Sequence, residues 1–106
     1  MIKLLLAMAL VSILGANAAA QEHIQILATG GTIAGKSLPS SGYTSGALPI
    51  DTLIAAIPEI EGYAKISWQQ VASIGSQDMN ISVWKNLYRA IDKAKKDEKI
   101  TAIVVT

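Results

Sequence analysis

The spacing of apolar positions changes period along the chain, and each period predicts an element. Leu4 to Leu14 is apolar apart from Ser12. That run falls short of the ~20 residues a spanning helix needs. Lys3 precedes it, and Ala16-Asn17-Ala18 and Ala18-Ala19-Ala20 follow, with small residues at the −3 and −1 positions of a cleavage site. This is the pattern of a secretory signal peptide over residues 1–20, with cleavage expected before Ala19 or Gln21. Ile24-Gln25-Ile26-Leu27-Ala28 then reads as a buried strand stopping at Thr29-Gly30-Gly31. Between Gly30 and Pro49, five glycines and two prolines break any helical period. A long loop is predicted there, with a loose hairpin around Tyr43.

Ile50, Leu53, Ile54 and Ile57 fall at i, i+3, i+4 and i+7, a short amphipathic helix stopped by Pro58. Ala64, Ile66 and Trp68 alternate, and Gln69-Gln70 shifts the phase before Val71-Ala72-Ser73-Ile74, which predicts one strand with a bulge, ended by Gly75. Asn80 is a good N-cap. After it, Trp84, Leu87, Tyr88, Ile91 and Ala94 mark one helical face, and Lys93, Lys95, Lys96 and Lys99 suit the negative end of the helix dipole. Ile100 to Val105 is a further buried-type strand. Strand, helix, strand, helix, strand predicts an α/β fold, the N-terminal part of a parallel three-layer α/β/α domain. Ligand-contacting residues of such sheets follow the carboxyl ends of strands. The last strand runs to Thr106, so residues 21–106 are expected to be the first part of a longer domain.

Composition narrows the chemistry. The chain has 106 residues, 9 basic and 8 acidic, and beyond residue 20 apolar residues make up about 44%. That is ordinary for a globular chain and excludes intrinsic disorder. The near-neutral balance gives no footprint for nucleic acid or an anionic membrane. Without cysteine there is no disulfide framework and no thiol nucleophile, and one histidine, His23, cannot build a metal site alone. No cofactor is expected.

Two readings compete for the loop after the first strand. Gly30 to Ser37 fits G-x-x-x-x-G-K-[ST], the phosphate-cradling pattern of nucleotide binders. That loop needs a helix starting at its Lys-Ser end, and Leu38-Pro39-Ser40-Ser41-Gly42 cannot open one. Alternatively, Thr32 stands after a glycine pair at a strand end, where its hydroxyl could attack a carbonyl once a base takes the proton, with nearby backbone N–H groups as an oxyanion hole. Taken alone, a turn threonine explains the same residues. A secreted, non-catalytic small-molecule binder is a further reading.

Ile26-Leu27-Ala28-Thr29-Gly30-Gly31-Thr32-Ile33-Ala34-Gly35 resembles the N-terminal signature of the L-asparaginases, and Ile74-Gly75-Ser76-Gln77-Asp78-Met79-Asn80 resembles a second stretch of the bacterial periplasmic (type II) enzymes. Tyr43-Thr44 lies in a Gly/Ser-rich segment where that family carries a mobile active-site loop with a tyrosine. The resemblance spans residues 24–106. It implies hydrolysis of L-asparagine to L-aspartate and ammonia, with L-glutamine as a further candidate substrate. Thr32 would be the nucleophile, Tyr43 would position or activate it, and Ser76 and Gln77 would bind the substrate's α-carboxylate and α-amino groups. Related glutaminase-asparaginases often carry Glu where this chain has Gln77, so Gln77 leans toward asparagine. In the family a second threonine, an aspartate and a lysine follow beyond the position of Thr106, and the full-length enzymes are homotetramers. These residues alone are therefore expected to be inactive.

Overall fold

The computed structural model describes residues 21–40 and 42–106. The expected signal peptide lies outside the described residues. Strand β1 (His23–Gly30) is followed by a 3-10 turn (Thr32–Ala34) and a small antiparallel hairpin, β2 (Lys36–Leu38) and β3 (Gly42–Thr44). Helix α1 (Ile50–Ala55) and a second 3-10 turn (Pro58–Gly62) lead to β4 (Lys65–Ile74). A third 3-10 turn (Ser76–Asp78) leads to α2 (Ile81–Lys95), and the chain ends in β5 (Ala102–Val105).

The sheet is parallel, ordered β4-β1-β5, with β1 in the centre. Side chains of a strand alternate between faces, and β1 feeds a core on each side. Ile26 and Ala28 pack with Ile50, Leu53, Ile54 and Ile66 under α1. Leu27, 0% exposed, points the other way, into Leu87, Ala90, Val71, Ile91 and Ile103 beneath α2. Complete burial of one leucine side chain contributes about 1.5–3 kcal/mol. These two cores make the three-layer α/β/α arrangement, as the element order predicts. At the amino end of the sheet His23 Nε2 lies 2.7 Å from Ser67 Oγ, which donates to Gln25 Oε1, a polar chain joining β1 to β4.

The phase shift in β4 is real but sits later than the sequence suggests. Ala28 pairs with Gln70 and Gly30 with Ile74, so Val71–Ser73 stand opposite Thr29 alone. Gln70 has its own reason to be there. Its Oε1 accepts from Ile50 N at 2.9 Å, filling an orphan donor at the start of α1, and its Nε2 donates to Ala72 O at 2.5 Å across the irregular stretch.

Two expectations are corrected. Helix α1 ends at Ala55, and Ile57 is exposed instead of completing the apolar stripe. Pro58 opens the following 3-10 turn, where its missing N–H costs nothing. In α2 the buried line runs through Leu87, Ala90 and Ala94, while Trp84 is 58% and Tyr88 70% exposed. The helix meets the sheet through its small residues, which allow close approach, and the aromatics are rotated outward. The N-cap stands as expected: Asn80 Oδ1 accepts from Val83 N at 3.1 Å. At the other end Lys96 Nζ pairs with Asp92 at 2.7 Å on the exposed surface. The hydrogen bond from Lys96, and then its charge, hold the Asp92 carboxyl below the usual carboxylate range.

Candidate active site

Strands β1 and β4 are parallel neighbours, so their carboxyl ends bring two loops to one edge of the sheet. The chain leaves β1 through Gly30 (φ +109°) and Gly31 (φ +73°), backbone that L side chains rarely adopt. A Cβ on Gly30 would also stand 2.5 Å from Ile74 O. The close approach lets Gly31 N donate to Ile74 O at 2.7 Å, which fastens the first loop to the end of β4.

Thr32 opens the 3-10 turn that follows, with its side chain exposed at that edge. The turn closes when Gly35 N donates to Thr32 O at 3.0 Å. The same carbonyl accepts from Tyr43 Oη at 2.5 Å. Tyr43 reaches it from β3, where it pairs with Ser37 across the hairpin. The phenol therefore meets the main chain of Thr32. Gly46 N donates to Gly31 O at 2.9 Å and Leu48 N to Ala34 O at 2.8 Å, so the segment returning from the hairpin is bonded to the Thr32 turn as well.

Ser76 and Gln77 arrive from β4. A Cβ at Gly31 would lie 3.4 Å from Ser76 Oγ, so the serine hydroxyl faces the bare side of the glycine that precedes Thr32. Gln77 folds back over Gly75, where an added Cβ would stand 2.6 Å from Nε2 and 2.7 Å from Oε1. Ser76 and Asp78 are both alternative helix-capping residues by type. Asn80 fills that role, which leaves the Ser76 hydroxyl and Gln77 amide at the edge for other work. A hydroxyl that donates and an amide that both donates and accepts suit a zwitterion.

The four singled-out residues, Thr32, Tyr43, Ser76 and Gln77, thus share one end of the sheet. One residue there escaped the motif reading. Thr29 is buried, and its Oγ1 and N both donate to Thr106 O, at 2.7 and 2.8 Å, tying the end of β5 to β1. The signal was a polar side chain following the apolar Ile26-Leu27-Ala28 run at the buried end of the strand, which must find a partner. Lys36 and Ser37, by contrast, lie in β2. No helix begins there, so the phosphate-loop reading of Gly30–Ser37 lacks the N-terminus that would hold an anion. Among the described residues, no three His, Asp or Glu side chains gather as a metal site would require.

Residues 23–106 match the family model for the N-terminal part of the asparaginases. The chain is 54% identical over 79 residues to a probable periplasmic L-asparaginase of Haemophilus influenzae, covering 73% of this chain and 23% of that one. It is 46% identical over 77 residues to L-asparaginase 2 of Escherichia coli, covering 71% and 22%. Among solved structures it resembles a probable cytoplasmic L-asparaginase from Campylobacter jejuni, with a TM-score of 0.70, 42% identity, and coverage of 80% of this chain and 27% of that one. The chain thus spans about a quarter of the length of these relatives. It belongs to the asparaginase family, and its parallel sheet and the loops at the strand ends lie within the match to that family's N-terminal part.

Proposed function

We propose that this chain is the nucleophile-bearing N-terminal part of a periplasmic type II L-asparaginase, which hydrolyses L-asparagine to L-aspartate and ammonia. The observation that carries the reading is the Thr32 turn: an exposed hydroxyl on a glycine-shaped bend, its carbonyl held by Tyr43, with Ser76 beside it. Thr32 Oγ attacks the side-chain amide carbon of the substrate and loses its proton. The C–N bond breaks, the amine leaves as ammonia after taking a proton, and water then cleaves the Thr32 ester to free aspartate. Ser76 donates to the α-carboxylate, and the Gln77 amide oxygen accepts from the α-ammonium. Gln77 favours asparagine over glutamine, a discrimination of one methylene worth ~1–3 kcal/mol.

The base and the remaining substrate contacts come from parts of the longer protein, by the family resemblance, and the full enzyme is a homotetramer. Residues 21–106 alone are inactive in this reading. Residues 1–20 direct export and are removed, consistent with the periplasmic relative. In the full-length protein, Thr32→Ala should reduce ammonia release from asparagine by about a thousandfold or more, the scale of losing a nucleophile. Activity within tenfold of the parent would overturn the assignment. Sequencing the N-terminus of the exported protein should return Ala19 or Gln21 as the first residue.

A further inference from the structure

Glycine at position 35 is not explained by its backbone. Its φ of −79° and ψ of 152° are ordinary extended values open to any residue, unlike those of Gly30 and Gly31. What excludes a side chain is Tyr43. A Cβ on Gly35 would overlap Tyr43 Oη and Cζ outright and stand 2.5 Å from Cε2. The phenol end of Tyr43 fills the volume a side chain would take. From that seat Oη donates to Thr32 O, while Gly35's own N–H donates to the same carbonyl.

We infer that Gly35 is a positioning residue whose bare α-carbon seats the Tyr43 phenol on the Thr32 turn. This rests on Thr32 being the nucleophile. Which group would yield to a methyl at 35 follows from the contacts. Position 35 is fixed by its bond to Thr32 O and by Lys36, which pairs with Thr44 in the hairpin. The overlapping atoms are the far end of the Tyr43 side chain, 52% exposed in this chain, so the ring and not the backbone is the part that gives way. Gly35→Ala should therefore remove Tyr43 from Thr32 and leave the fold in place.

A double-mutant cycle in the full-length protein tests this, since only coupled positions depart from additivity. Gly35→Ala should lower kcat for asparagine by about tenfold or more, with KM changed less than about threefold, the split for an interaction made mainly in the transition state. In a Tyr43→Ala background, with no ring to displace, the same substitution should cost less than about twofold. An undiminished loss in that background, or a fully active Gly35→Ala, overturns the proposal. Should Gly35→Ala alone fail to fold, the double variant must fold, because the overlap is gone; its failure also overturns the seat. Retained hydrolysis in Thr32→Ala would sink the functional reading instead. The seat is then decided by a crystal structure of Gly35→Ala: Tyr43 Oη out of reach of Thr32 O supports it, and Tyr43 in place refutes it.

Discussion

Thr29→Val deletes a hydroxyl while keeping the shape of the side chain. The lost bond is the 2.7 Å donation from Thr29 Oγ1 to Thr106 O. That carbonyl keeps its second donor, Thr29 N at 2.8 Å, so no acceptor is orphaned. The cost is then that of an ordinary hydrogen bond, about 0.5–1.5 kcal/mol, and not the ~1–3 kcal/mol of an unsatisfied buried group. The site is 9% exposed, so the new methyl is buried and recovers up to ~0.8 kcal/mol. The net change then runs from near zero to a loss of roughly 1.5 kcal/mol, with its middle at ~0.6 kcal/mol. Urea unfolding of the full-length protein should show a lower midpoint at unchanged slope. Exchange of the Thr106 amide, which donates to Leu27 O at 3.1 Å, should quicken by up to about tenfold as β5 opens more often from β1. A variant more stable than its parent by over about 0.5 kcal/mol would refute the clamp. So would a loss above about 3 kcal/mol, which would demand an orphaned group the structure does not contain.

Leu27→Ala empties the centre of the core under α2 and should cost about 2–5 kcal/mol, read from the same unfolding curves. Asp92 gives a pH test. Lys96 lowers its folded pKa below the unfolded one, so the stabilisation is present above the unfolded value and is lost as pH falls through the folded value. Asp92→Asn should lower the thermal midpoint slightly at neutral pH, less in high salt, and leave it unchanged in acid below the folded value.

The succession of strands and helices along the chain was legible because the apolar period changes from one element to the next, whereas the place of β1 at the centre of the sheet rests on pairings between distant segments. The cap at Asn80 was legible because capping depends on one residue type. The face of α2 was not. Trp84 and Tyr88 carry more apolar surface than Ala90 and Ala94, yet close packing on a sheet selects the small residues. The bulge was misplaced because Gln70 serves α1 through its side chain, a long-range contact no local pattern reveals. At the candidate site, Thr32, Tyr43, Ser76 and Gln77 were singled out through the family resemblance, Thr32 also by its place after a glycine pair at a strand end. The Thr29–Thr106 link and the fit of Tyr43 onto Gly35 depend on distances between segments, which spacing along a chain does not encode.

The bonds that join the loops at this edge run from peptide to peptide: Gly31 N to Ile74 O, Gly46 N to Gly31 O, Leu48 N to Ala34 O. Every residue other than proline offers the same two groups. Exchanging side chains away from Gly30, Gly31, Gly35 and Gly46, where an added Cβ would clash or the backbone has positive φ, leaves this lattice of amides intact, whereas inserting or deleting one residue between Gly31 and Ala34 or between Gly46 and Leu48 would move the later donor away from its acceptor. For an engineer the edge is therefore permissive in identity outside those four glycines and rigid in count. New specificities are best sought by substitution, and loop-length libraries across this stretch should yield mostly inactive protein.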